Sequence, residues 1–266
     1  MISFVFYTCA ERIENLKQTI RFLNRHEPNL QDKEIIIVYQ NEGPTLPETT
    51  CFNLNLDSYK RPIMCNFGVQ KAKYNIIAML DSDRILPLNY FYNNIVKKGE
   101  MTTTTTLHKI QHDCTDDEID NQKYSYQIEY RSKSDEIRRK NLFSGNTLFH
   151  KSDYLTLGGM DERYTGYGHA DTDITRTAIK NNIKIKFIDA PEIHLWHKNS
   201  VFYKGQELED FQIQSAINAM KFAIKWKSID PTTNAICTEV LQKLNVYPSD
   251  LVLEFSQLYK KLYGIF

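Results

Sequence analysis

The chain has 266 residues, with 41% hydrophobic and 12% aromatic side chains, and its 33 basic and 33 acidic residues give a formal net charge of zero. That length suits one large α/β domain or two small ones with a sizeable core. The charge balance argues against a nucleic-acid-binding protein, and the wealth of core formers against a disordered chain. The N-terminal MISFVFYTCAERIENL has no basic segment ahead of its short apolar run and no small-residue cleavage site, so it reads as a strand and not as a signal peptide. No stretch reaches the ~20 apolar residues of a membrane span. The five cysteines (Cys9, Cys51, Cys65, Cys114, Cys237) are scattered, with no CxxC. They suit a reducing cytosol and offer no zinc or disulfide framework.

In chain order, residues 2–8 read as a buried strand and 12–25 as a helix, with Ile13, Leu16, Ile20 and Leu23 at helical spacing. Residues 34–40 form a second buried strand that ends in the turn-like Asn41-Glu42-Gly43. Residues 66–72 look like the start of a helix, and 75–80 are a third strand, closed by Asp81-Ser82-Asp83. Buried strands alternating with helices predict a doubly wound, mostly parallel sheet, which binds ligands beyond the carboxyl ends of its strands. The run Thr102–Thr106 reads as a β-branched strand, and 107–141 as an excursion of short strands and loop. Then come a strand at 146–150, a short helix at 152–157, a glycine-rich loop, a helix at 172–181 and a strand at 183–188. After Trp196 the pattern is helical. The expected division is one α/β domain over 1–200 with a helical C-terminal extension, 201–266, packed on it.

Three features could carry chemistry. Asp81 and Asp83, two carboxylates at i and i+2 after a hydrophobic strand, can hold a hard divalent cation that neutralises a diphosphate. His194 and His197, three apart on a tight or helical turn, can both reach one metal. The segment Gly158-Gly159-Met160-Asp161-Glu162 precedes Gly166-Tyr167-Gly168-His169-Ala170-Asp171-Thr172-Asp173, so mobile glycines lead into an acidic pair. Each feature alone also has a plain reading: a solvated turn, a packing histidine pair, a capped helix start.

Taken in chain order, the DxD at a strand end, the glycine-bounded acidic loop and the later HxxH resemble the A-type (GT-A) glycosyltransferases, above all the β-1,4-galactosyltransferase-like group and its family 2 relatives, over roughly residues 2–200. The resemblance implies a single Rossmann-like GT-A domain with a mixed, mostly parallel sheet, and an inverting, divalent-metal-dependent transfer from a nucleotide sugar to a glycan or other hydroxyl acceptor. The donor would be a UDP-sugar such as UDP-Gal, UDP-GalNAc or UDP-GlcNAc, and the metal Mn2+ or Mg2+. Asp171 matches the catalytic base. Asp83 and His197 match metal ligands, and His194 falls on a further ligand position. Thr8, Arg12, Gln40, Arg61, Asn66, Asp81, Ser82 and Gly145 match donor-contacting positions, with Arg61 facing the diphosphate or base. The segment Asn66-Phe67-Gly68-Val69-Gln70-Lys71-Ala72 matches an Asn-x-Gly-x-x-x-Ala pattern before the DxD, and Phe143–Asn146 matches a lining of the sugar pocket. Tyr167, His169 and Ala170 depart from the family's Gly-Trp-Gly-Gly-Glu-Asp loop. Asp173 is expected to cap its helix or touch the acceptor. No nucleic-acid partner is expected, and the expected location is the cytoplasm, with or without peripheral attachment to a membrane. A sugar-nucleotide pyrophosphorylase would need a glycine-rich loop after the first strand, where Cys9-Ala10-Glu11-Arg12 has none. The rival of another class is a non-catalytic nucleotide-sugar-binding protein that keeps the fold.

Overall fold

A computed structural model of the chain describes residues 1–30, 32–130, 146–166, 168–197, 208–228 and 249–263. The strands are β1 Ile2–Thr8, β2 Lys33–Tyr39, β3 Thr50–Asn53, β4 Ile76–Asp81, β5 Arg84–Ile85, β6 Glu100–Ile110, β7 Tyr126–Tyr130, β8 Asn146–His150 and β9 Lys184–His194. The helices are α1 Ile13–His26, α2 Arg61–Lys71, α3 Tyr90–Asn93, α4 Asp116–Asp120, α5 Lys151–Thr156, α6 Ala170–Lys180, α7 Leu208–Trp226 and α8 Ser249–Tyr263.

One sheet holds all these strands in the order β3-β2-β1-β4-β8-β6-β9-β5, and β7 pairs with the second half of β6. The first four strands are parallel, as the alternation of strands and helices predicts. Beyond β4 the sheet departs from the doubly wound expectation. β8 runs antiparallel to β4 and β6, and β5 and β7 are antiparallel to their neighbours, while β6 and β9 are parallel. The fold is therefore a mixed α/β sheet with its pairings evenly divided between the two senses.

β1 is buried along its whole length, and its alternation supplies both faces of the core. Phe4 and Phe6 join Ile35, Ile37, Ala78 and Leu80 under α1, which contributes Leu16, Ile20 and Leu23. Val5 and Tyr7 join Ile36, Val38, Ile77 and Met79 under α2 and α6. β1 crosses to β2 on one side and to β4 on the other. The order of strands thus reverses at β1, and a crevice opens there beyond the carboxyl ends.

Several boundaries differ from the sequence reading. α2 starts at Arg61 and ends near where a helix start was expected; Pro62 in its first turn is a helix-initiating proline. α6 starts at Ala170, two residues early. β9 does not stop at Ile188. Its partners shift from Thr104↔Ile188 to Thr106↔Pro191, so one extra residue enters β9 before the strand runs on to His194. Pro191 lacks an N–H and is tolerated at such an irregularity, which also re-aims the side chains that follow. The residues 107–110 expected in an excursion belong to the long β6. Cys9, Cys51, Cys65 and Cys114 are free thiols, and Cys237 lies outside the described residues. Burial pushes Cys65 up to about 12 and Cys9 up to about 11, so neither is a ready nucleophile. Among the described residues no helix is long and apolar enough to cross a membrane.

Gly68 lets α2 lie close on the sheet. A Cβ there would meet Val5 Cγ1 at 2.4 Å and Val38 Cγ2 at 3.2 Å. Gly68→Ala should therefore lower unfolding stability by about 1–3 kcal/mol through overpacking. Urea unfolding monitored by circular dichroism measures it, and a stability equal to wild type would show that α2 can move away at no cost.

Candidate functional site

The site forms where β1, β4 and β9 end. Tyr7 and Asp81 are register partners on β1 and β4, and both belong to the face under α2. The Tyr7 hydroxyl donates to Asp81. Asp83 follows in the turn to β5 and is buried. Arg84 begins β5, which pairs with the end of β9 through Arg84↔His194. This antiparallel pairing is what brings a strand end 110 residues further on to the DxD turn.

Asp83 Oδ2 lies 3.5 Å from His194 Nε2 and 3.4 Å from His197 Nε2, and the two nitrogens are 3.2 Å apart. These three groups form the one candidate metal cluster among the described residues. Metal bonds of about 2.1 Å place neighbouring ligands about 3.0 Å apart in an octahedron and about 3.4 Å in a tetrahedron, so the triangle fits one first-row divalent cation. Two imidazoles and a carboxylate suit Mn2+ better than Mg2+, which prefers oxygen alone. His194 ends a strand and His197 follows in a segment without regular secondary structure, in place of the tight or helical turn expected.

Three arginines thread these carboxylates. Arg12, from the 3-10 turn after β1, reaches Asp83 Oδ2 at 3.3 Å. Arg61, the first residue of α2, pairs with Asp171 and lies 3.8 Å from Asp81 Oδ1, with its guanidinium 4.7 Å above the Tyr7 ring. Arg84 Nε stands 3.4 Å from both Asp81 Oδ2 and Asp83 Oδ1, and its Nη1 is 3.3 Å from Glu192 Oε1. Glu192 is fully buried and accepts from Thr104 Oγ1 at 2.6 Å and from the Asn146 amide. Tyr7, Arg84 and Glu192 were not singled out from the sequence. Only the position of Arg84 directly after the DxD could have signalled it.

The environment splits the two aspartates. Burial raises Asp81 well above its ordinary range; Arg84 opposes the rise, and Asp83 and Asp171 add to it. Burial would raise Asp83 too, but His194, Arg84 and Arg12 outweigh it and hold that carboxyl far below the usual range. Burial and Arg84 push His194 down, toward the neutral form that ligates a metal. Burial also opposes the Arg61 charge, but Asp171 keeps it protonated.

Asp171 occupies the second position of α6, after a left-handed His169 (φ 65°), and faces Arg61 across the crevice. Its carboxylate sits where the helix dipole favours negative charge. The other residues matched by resemblance divide. Thr8, Gln40 and Ser82 lie at the carboxyl edge, held through backbone groups: Gln40 N donates to Thr8 O at 2.9 Å, and Thr19 Oγ1 donates to Ser82 O at 3.2 Å. Asn66 is engaged elsewhere. Its Nδ2 donates to Met160 O and Glu162 Oε1, and its Oδ1 accepts from Tyr154 and Met160 N. Three of these bonds fasten the 158–162 turn and the fourth ties it to Tyr154 of α5, so both hydrogens and both lone-pair sites of the amide are engaged. Gly159 (φ 71°) completes this contact, since a Cβ there would lie 2.6 Å from Asn66 Oδ1. Gly145 and Tyr167 lie outside the described residues. Asn146 is buried against Glu192 beneath the site. Asp173 neither caps α6 nor faces the crevice; it is 2% exposed and accepts from Lys225 Nζ and Trp226 Nε1 of α7.

A family model described as the N-terminal domain of galactosyltransferase matches residues 124–198, the stretch that holds Asp171, His194 and His197. No curated protein matches the chain in sequence. Among solved structures, GalNAc-T7 with UDP, GalNAc and Mn2+ superposes with a TM-score of 0.60 at 13% identity, over 84% of this chain and 47% of that one. This chain thus spans about half the length of that neighbour. Residues 1–349 of S. aureus TarS in complex with UDP-GlcNAc superpose with a TM-score of 0.60 at 11% identity, over 90% of this chain and 71% of that one. The sheet with its crevice beyond β1 and β4 is therefore the GT-A fold of these glycosyltransferases.

Proposed function

We propose that the chain is an inverting glycosyltransferase that moves a sugar from a UDP-sugar to a glycan or other hydroxyl acceptor, using a divalent cation. The observation that carries this reading is the Asp83–His194–His197 triangle set beside Asp171 at the mouth of a GT-A sheet. The match to a galactosyltransferase model over those residues supports it, as do the UDP, sugars and Mn2+ of the superposing structures. The division into a catalytic part, 1–200, and a helical extension, 201–266, belongs to this proposal, as does a cytoplasmic location.

Asp83, His194 and His197 would hold the cation, which when bound supplies positive charge against a leaving diphosphate. Arg12 lies beside the same triangle and is positioned to pair with a phosphate oxygen. Tyr7 and Arg84 fix Asp81 at the crevice wall, where a ribose or sugar hydroxyl can donate to it. Arg61 holds Asp171 Oδ1, so Oδ2 is assigned to the acceptor hydroxyl. In one displacement the acceptor oxygen bonds to the anomeric carbon, its proton passes to Asp171, and the bond to the diphosphate breaks with its electron pair leaving on the diphosphate. Attack opposite the leaving group inverts the anomeric configuration. The second reading, a binding protein without catalysis, rests on Ala170, which stands where the resembling loop carries a carboxylate.

Two experiments separate the readings. In calorimetry, Asp83→Asn or His197→Ala should weaken Mn2+ binding by more than the roughly 10–100-fold that loss of a supporting neighbour costs a metal site. Unchanged affinity in both would remove the triangle from metal binding. In a screen of UDP-sugars with Mn2+, wild type should release UDP in the presence of acceptor. Asp171→Asn should lower the rate by about 10²–10⁴-fold with donor affinity intact. A wild type that binds donors but transfers none would favour the binding protein.

A further inference from the structure

The acidic loop does not hang free at the crevice; it lies along α7. Before the loop, Lys225 Nζ donates to Asp161 Oδ2 at 3.0 Å. Within it, Lys221 Nζ donates to Arg163 O at 2.7 Å, and Asn218 Nδ2 donates to Thr165 O at 2.7 Å. After it, the His169 ring packs on Phe222, with centroids 5.0 Å apart. Asp173 then accepts from Lys225 Nζ at 2.6 Å and from Trp226 Nε1 at 2.7 Å. Arg176, one turn further along α6, lies over the rings of both Phe222 and Trp226. One ammonium, Lys225, therefore ties the two ends of the 161–173 segment together, and the indole beside it fixes the second end.

Asp173 is buried and two residues past Asp171 on the same first turn of α6. In a helix such residues point in different directions, so Asp173 cannot reach what Asp171 reaches. It can, however, set how far the first turn of α6 enters the crevice. α7 itself rests on α8 through Ala219, Met220, Ala223 and Phe255, and so presents a backed surface to the loop.

We propose that Asp173 is a positioning residue and that the Lys225–Trp226 end of α7 is its lock: together they hold Asp171 at the distance from the acceptor that proton transfer requires. This rests on the transferase reading given above. α7 then governs transfer to the acceptor without touching the donor or the metal triangle. A displacement of about 1 Å in a reacting group costs on the order of 10²-fold in rate, so a small loosening at this lock should be visible in turnover.

The test compares wild type with Trp226→Phe, Asp173→Asn, Lys225→Met and Lys225→Arg. Trp226→Phe keeps an aromatic ring and removes only the N–H. Binding of UDP with Mn2+, measured by calorimetry, should stay within about twofold of wild type in all four. Turnover at saturating donor and acceptor should fall roughly 10–100-fold in Trp226→Phe, Asp173→Asn and Lys225→Met, and stay near wild type in Lys225→Arg. The share of donor lost to water instead of acceptor should rise in the three slow variants. Amide hydrogen exchange over 161–173, in UDP and Mn2+, should quicken in those three while β1 and β4 stay protected. Wild-type turnover in both Trp226→Phe and Asp173→Asn overturns the proposal. So does a fall in donor affinity that matches the fall in rate, or a loss that disappears once rates are corrected for the folded fraction. If wild type transfers no sugar, the transferase reading fails by itself. Exchange then decides the lock: quickened amides over 161–173 support it, and unchanged ones overturn it.

Discussion

Arg84 lies among three carboxylates. It touches both aspartates of the DxD turn and, on its other side, the fully buried Glu192. Like charges this close under low-dielectric cover would repel one another or take up protons. Together with His194 and Arg12, a guanidinium shared among them holds Asp83 ionised and gives the turn one geometry. Such a cluster is costly to break, since removing one partner of a buried ion pair costs about 3–5 kcal/mol. It also explains why Thr104 and Asn146 are polar within the sheet: both donate to Glu192.

The cluster depends in turn on how the sheet departs from a parallel one. In a purely parallel sheet, β9 would not meet the residues that follow β4. Here β5 folds back after Asp83 and pairs antiparallel with the end of β9, and the extra residue before Pro191 turns Glu192 and His194 toward the turn. Leu195 N donates to Asp83 O, and Asn15 Nδ2 of α1 donates to Trp196 O. The segment carrying both histidines is thereby tied to the DxD turn and to α1.

How much of this was legible in the sequence follows from the range of each signal. The buried strands 2–8, 34–40 and 75–80 are continuous apolar runs, and the DxD after the third sits at the edge where such sheets bind ligands. Asp171, His194 and His197 were visible as residue types at plausible places, and the structure brings the two histidines to Asp83 and pairs Asp171 with Arg61. What failed was local: the start of α2, hidden because Arg61-Pro62 breaks no obvious pattern, and the run of β9 through a proline. What was missed was non-local. Arg84 and Glu192 are 108 positions apart and Asp173 and Trp226 are 53 apart, and nothing in either neighbourhood encodes the pairing. The partners of Asn66 were hidden for a related reason, because its amide serves a turn almost a hundred residues further on.

The charges at the crevice suggest an order of assembly. Burial holds Asp81 toward its neutral form, so Asp83, Asp171 and Glu192 face Arg12, Arg61 and Arg84, and with neutral histidines the formal sum is zero. A diphosphate approaching that site would meet no net positive charge, however well placed the arginines are. A divalent cation on the triangle would leave two positive charges for the diphosphate to neutralise. It would also weaken the pairing of Arg12 with Asp83 by competing for the same Oδ2, which frees that guanidinium for a phosphate oxygen. Arg61 is held differently, since Asp171 and Asp81 both lie outside the triangle. Under the proposed function, the site would contain one arginine that metal binding releases toward the donor and one that stays with Asp171. Cation first and donor second is the sequence of binding this electrostatic arrangement favours.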